Sequence, residues 1–249
     1  MPLKKGDFAL VNSTTKVKES NEIINTTVEQ VAKEANLHRS ENTYEPEFVV
    51  VGEGWVPKGL DEALVNLEKD KELNVEVPPE KGYGQRDPSK MKLIPIRRFA
   101  NEKITPVPGS RVEIDGRSAL VRSVGAGRVQ VDFNPPLAGK TLIYNLKLEK
   151  IIESNEEKLK ALIHRRLPTP PPEKFKVKLT QDECTIELPE EAFLIEGLQI
   201  AKRVIASDVQ RFMPELVRVT FTETFKKPQT TSEEKPEEAA PPTDTAKTP

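Results

Sequence analysis

Glycine stands at positions 52, 54 and 59, between the apolar run Val49-Val50-Val51 and the acidic pair Asp61-Glu62, and that spacing leaves few folds open. An apolar run that stops at closely spaced glycines suits a strand end and a tight turn. Behind the turn, Leu60, Ala63 and Leu64 with Asp61 and Glu62 near the start read as a short helix whose first turn carries acids against the helix dipole. Such a helix lays an apolar floor. Asn74-Val75-Glu76-Val77 then alternates polar with apolar as a strand does, and Pro78-Pro79 stops it before the turn Glu80-Lys81-Gly82-Tyr83-Gly84. Tyr83 is thereby expected beside the helix floor.

Two later stretches complete a pattern: Asp132-Phe133-Asn134, and Leu137-Ala138-Gly139-Lys140-Thr141-Leu142. In this order the stretches resemble the FKBP-type prolyl isomerases, and within them the SlyD-like branch that carries an inserted chaperone domain. The resemblance covers about residues 4–152 and rests on several motifs in sequence. It implies an α+β chain whose first unit, residues 1–84 and 135–152, is an FKBP-like antiparallel sheet with a short helix. The residues fit that unit. A strand begins in Lys5 to Val11, and a hairpin turns at Glu19-Ser20-Asn21 between Lys16-Val17-Lys18 and Ile23-Ile24. Val28, Val31, Ala32 and Ala35 at helical spacing predict a helix of about three turns over 28–38, like the extra segment of longer archaeal-type members. Val49 to Val51 suits a central strand buried on both faces, and Leu142 to Leu148 closes the sheet.

Between these parts the composition shifts. Residues 85–134 hold ten Lys or Arg and five acids, net +5, which leaves −7 for the remainder of a chain of net −2. Short strands at 111–114, 119–121 and 129–133, with turns at Asp115-Gly116 and Gly125-Ala126-Gly127, predict a small β domain. By position it matches the insert-in-flap chaperone domain of the SlyD-like branch. Met91, Leu93, Ile94, Ile96 and Phe99 lie between its charges, and a domain of this size needs most of them for its core, which leaves two or three to be exposed for binding unfolded chains.

A third unit, α+β, is expected over residues 153–225. It has a lead helix with Leu159, Leu162 and Ile163, a stiff spacer from Pro168 to Pro172, two alternating strands over 174–179 and 184–188, a helix from Pro189 to Met213, and a last strand to Phe225. The long helix would carry Phe193, Leu194, Leu198, Ile200, Ala201, Ile205, Val209 and Phe212 on one stripe. Residues 226–249 are Pro, Thr, Glu and Lys with almost no apolar content, the composition of a disordered tail.

Composition excludes little else. No run of about eighteen apolar residues reads as a membrane span, and Met-Pro-Leu-Lys-Lys-Gly-Asp lacks the apolar core of a signal peptide, so a cytoplasmic protein is expected. Cys184 is the single cysteine, and His38 and His164 lack partners at metal-ligand spacing, so no disulfide, metal or cofactor is expected.

Isomerising an X–Pro bond needs no nucleophile, acid or metal. The barrier is amide resonance, and an apolar pocket lowers it by binding the twisted, less polar transition state better than the flat ground state. The resemblance implies the pocket residues Ile24, Asn25, Val56, Pro57, Leu60, Tyr83, Leu137 and Tyr144. It also exposes departures. The family tyrosine of the first strand falls at about Thr14, the family aspartate after the second falls at Asn25, and a family histidine falls at Pro135. Pro57 stands where a backbone N–H would meet the substrate carbonyl, and proline has none.

The expected function is therefore a prolyl isomerase and chaperone for unfolded or nascent, proline-containing chains, its isomerase activity weakened. A non-catalytic scaffold, with an apolar groove on the helix from Pro189 to Met213, is the alternative from another class. Ten cations with only Phe99 and Phe133 as aromatics also suit a ribosome or RNA contact made through phosphates and not by base stacking.

Overall fold

The computed structural model describes residues 2–65, 67–69 and 71–225, so the tail expected at 226–249 lies outside the described residues. In chain order the elements are β1 (Phe8–Val17), β2 (Ile23–Thr26), α1 (Glu29–Glu34), β3 (Glu47–Val50), α2 (Lys58–Leu64), β4 (Glu72–Val77), β5 (Met91–Pro95), α3 (Ile96–Asn101), β6 (Arg111–Ile114), β7 (Arg117–Gly125), β8 (Arg128–Asp132), β9 (Leu142–Ile152), α4 (Asn155–Arg166), β10 (Lys176–Leu179), β11 (Glu183–Leu188), α5 (Leu198–Phe212) and β12 (Arg218–Glu223). The architecture is α+β, built on three sheets.

The first sheet is antiparallel in the order β2-β1-β9-β4, and β3 pairs with the other half of β1. Alternation sends Val11, Val17, Leu142, Leu146, Leu148 and Val77 to one face, where Leu60 and Leu64 of α2 pack on them. A Cβ on Gly59 would lie 2.7 Å from a Val77 methyl carbon, so glycine is what lets α2 approach the sheet. The run Val49 to Val51, expected in a central strand, sits at the edge because β3 has only β1 as a partner. It is buried on both faces nonetheless: Val49 and Val51 join the α2 core, whereas Phe48 and Val50 face the core under α4 and α5. The helix expected over 28–38 is only Glu29–Glu34, and Asn36 with φ +55° takes the chain out of helical conformation.

The second sheet, β5-β8-β7-β6, is antiparallel and closes over Phe99, Ile114, Val121, Val129 and Val131. Its strand β5 and helix α3 are additions to the sequence reading. They divide the five apolar residues of that stretch, burying Ile94 and Phe99 and exposing Met91, Leu93 and Ile96.

In the third sheet β11 pairs antiparallel with β10 and parallel with β12, the parallel return being made through α5. The helix expected from Pro189 begins only at Leu198. Residues 190–192 make one 3₁₀ turn, and Gly197 at φ +77° separates it from α5. The stripe changes accordingly: Leu198, Ile205 and Val209 are buried, but Leu194 is 96% and Ile200 72% exposed. Leu159, Ile205 and Val209 share one core with Phe8, Phe48 and Ile152, so α4 and α5 cover the outer face of the first sheet. No helix of the described residues is long and apolar enough to cross a membrane.

Candidate functional site

A cavity of about 630 Å³ opens where β1, β2 and β9 meet the start of α2. Its walls include Ile24, Asn25, Val56, Pro57, Leu60, Tyr83, Leu137 and Tyr144, which brings together all eight residues singled out from sequence.

The sheet register explains the β wall. Asn25 lies opposite Thr15, and Thr15 opposite Tyr144, so the three form one cross-strand row. Ile24 would point away by strict alternation. The pairing slips there, with Asn25 opposite Thr15 but Ile23 opposite Lys16, and this bulge lets two successive residues face the cavity. Thr14 requires a correction. It faces the other side of the sheet, 2.9 Å from the Thr26 hydroxyl, and Ser13 and Thr15 stand at the cavity in its place. The resemblance puts the family tyrosine at about Thr14, and a shift of one residue along β1 exchanges the faces.

The loop wall is held by Asp61, whose carboxylate accepts from the Gly52 N–H at 2.8 Å and the Gly54 N–H at 3.0 Å. Both glycines have positive φ. The Pro57 carbonyl accepts from the Leu60 and Asp61 amides at 2.9 Å, which starts α2 and fixes Val56 and Pro57 at the rim. Tyr83, in the turn after β4, is 46% exposed, whereas Tyr144 is buried. Burial first, then the neighbouring Tyr83 hydroxyl, pushes the Tyr144 phenol above its usual range.

Sequence reasoning missed Trp55, Glu47, Ser13, Thr15 and Pro136, all of which line the cavity. Trp55 carried a readable signal, since it is the only tryptophan and directly precedes Val56-Pro57. Its ring meets Phe48 at 5.5 Å and Phe212 of α5 at 5.4 Å, both edge-on, and the Arg165 guanidinium of α4 sits 3.8 Å from its centroid. Arg211 also pairs with Glu53. The helices after the first sheet thus hold the loop that forms one cavity wall. Desolvation raises the Glu47 carboxyl above its ordinary range, and Arg165 works in the opposite direction.

The family model described as "FKBP26, IF domain" matches residues 92–137, and "FKBP26_C-terminal" matches 155–226. A short-type peptidyl-prolyl cis-trans isomerase of Methanocaldococcus jannaschii is 36% identical over 155 residues, 62% of this chain and 98% of that relative. The chain belongs to the FKBP-type peptidyl-prolyl cis-trans isomerases. Further FKBP-type relatives include the SlyD of Treponema pallidum, 32% identical over 47% of this chain and 68% of the relative. A probable 16 kDa isomerase of Pseudomonas fluorescens is 28% identical over 41% of this chain and 71% of its own length. In this FKBP-type chain the first matched segment runs through α3 and β6 to β8, and the second takes in α4, α5 and β10 to β12.

Proposed function

We propose that the cavity isomerises X–Pro bonds and that the same chain acts as a chaperone for unfolded or nascent polypeptides, in the cytoplasm. The reading divides the chain into an FKBP-like unit (1–84 and 135–152), an insert (85–134) and a C-terminal unit (153–225). The observation that carries it is the convergence of Val56, Leu60, Tyr83, Leu137 and Tyr144 on one cavity. Such walls favour a twisted amide over a planar, more polar one. Met91, Leu93 and Ile96, exposed on the insert, supply an apolar surface that captures a client and raises the local concentration of its prolines. The scaffold reading needs an apolar groove on the stretch from Pro189 to Met213, where Leu198, Ile205 and Val209 are buried in a core and Leu194 and Ile200 are exposed.

Pro57 at the rim withholds an N–H from the substrate carbonyl. That absence costs about 1 kcal/mol, so wild-type turnover of a short proline peptide is slow, and Pro57→Ile raises kcat/KM roughly fivefold in a protease-free assay. Wild-type turnover already as fast as an efficient isomerase would contradict the weakened site.

A second reading adds a ribosome or RNA contact through the insert. Lys90, Lys92, Arg97, Lys103, Arg111 and Arg128 enter no ion pair among the described residues. A contact made by such cations runs to phosphates, and it is expected to be lost between about 50 and 200 mM salt in ribosome co-sedimentation. Association that survives the salt step argues against it.

A further inference from the structure

We propose that the substrate site continues from the proline cavity into the cleft between residues 39–47 and α4, and that this cleft takes the segment flanking the proline in the same extended chain. The inference rests on the isomerase reading. The cleft measures about 1300 Å³, against about 630 Å³ for the cavity, and the two adjoin, with Ile24, Asn25 and Glu47 lining both.

One wall of the cleft has bonding capacity that the folded chain leaves unused. β2 is an edge strand hydrogen-bonded only to β1, so its outer backbone groups have no sheet partner where its residues line the cleft. Main-chain groups of that kind bind an extended peptide with little regard for its sequence. On the opposite wall, His164 Nδ1 and Arg165 Nε have no hydrogen-bond partner among the described residues but are buried beneath the surface, and His164 Nε2 meets Glu45 of the facing loop at 2.7 Å, tying the two walls at that point. Arg165 also ties the two spaces together, lining the cleft while its guanidinium lies on Trp55 at the cavity. Lys150 and Lys160 of the cleft are already paired, with Glu157 and Glu156.

The test compares a proline tetrapeptide with versions carrying six Ser/Thr residues added before or after it. Six extended residues reach about 20 Å, and their polarity keeps them off the apolar surface of the insert. Affinity is read from the fluorescence of Trp55, the single tryptophan, and turnover from a protease-free assay on the full chain. One of the two extensions is expected to tighten Kd at least fivefold in the wild type. Ala161→Arg, which places a long side chain in the cleft from α4, removes that gain, and so does Thr43→Phe on the facing loop, a change at an exposed position that tolerates substitution and one that leaves Trp55 the single tryptophan. Affinity independent of length, or a gain that persists in both variants, overturns the cleft. Absence of turnover on the tetrapeptide overturns the isomerase reading instead, and the cleft is then judged by affinity alone.

Discussion

Asp132→Ala is expected to destabilise the junction between the first and second sheets by roughly 3 kcal/mol. The carboxylate is 2% exposed and serves four groups. Oδ1 accepts from the Asn134 backbone N–H at 2.9 Å and its side-chain amide at 2.8 Å, and Oδ2 meets Arg86 and, at 3.3 Å, Arg122. Asn134 then closes a reciprocal pair with Asp87, each contact 2.9 Å, so the strands entering and leaving the second sheet are joined side by side. Both arginines keep solvent access, and releasing them costs little. The loss falls on the charge-assisted bonds that hold Asn134. Asp132→Asn keeps the shape and an acceptor but no charge, and about half the effect is expected. Hydrogen exchange locates the damage: amides of β7 and β8 should lose protection, while those of β11 stay protected. A change within 0.5 kcal/mol for Asp132→Ala would mean that the carboxylate does not hold this junction.

That junction shows what a sequence can and cannot disclose. Asp132-Phe133-Asn134 was visible as a motif, but its purpose depends on Arg86, forty-six residues earlier, and no local pattern links the two. Strands with clear alternation, such as Val129 to Asp132 and Cys184 to Leu188, were legible because side-chain period alone defines them. The cavity residues were legible through the family resemblance. What positions them was not: the bulge at Ile24 and the one-residue phase of Thr14 are properties of cross-strand register, which two partners fix together. The helix expected from Pro189 failed at Gly197, where an unbroken apolar stripe concealed a single left-handed residue. Trp55 was passed over because its role comes from Phe212 and Arg165, both more than a hundred residues further on.

Tyr83→Ala is expected to lower kcat/KM on a short proline peptide by tenfold to a hundredfold, with folding stability changed by less than about 0.5 kcal/mol. The two halves of that expectation separate a pocket residue from a core residue. Tyr83 lines the cavity yet is nearly half exposed, so removing its ring takes little from the folded state's packing. In the substrate complex the same ring is covered, and the apolar contact it makes with the twisted prolyl bond, about 1.5–3 kcal/mol for a full side chain, disappears from the transition state. Tyr144 gives the contrasting case. It is buried among Leu142, Leu146 and Leu60, and truncating it should cost stability as well as rate. Tyr83→Phe discriminates further. Burial is the largest cause of the raised Tyr144 phenol and the Tyr83 hydroxyl adds to it, so loss of the hydroxyl should remove only the smaller part of that rise while leaving the aromatic wall and most of the activity in place. If Tyr83→Ala retains full kcat/KM, the exposed ring is not part of the working wall, and the catalytic surface must lie on the remaining residues, Val56, Leu60, Leu137 and Tyr144.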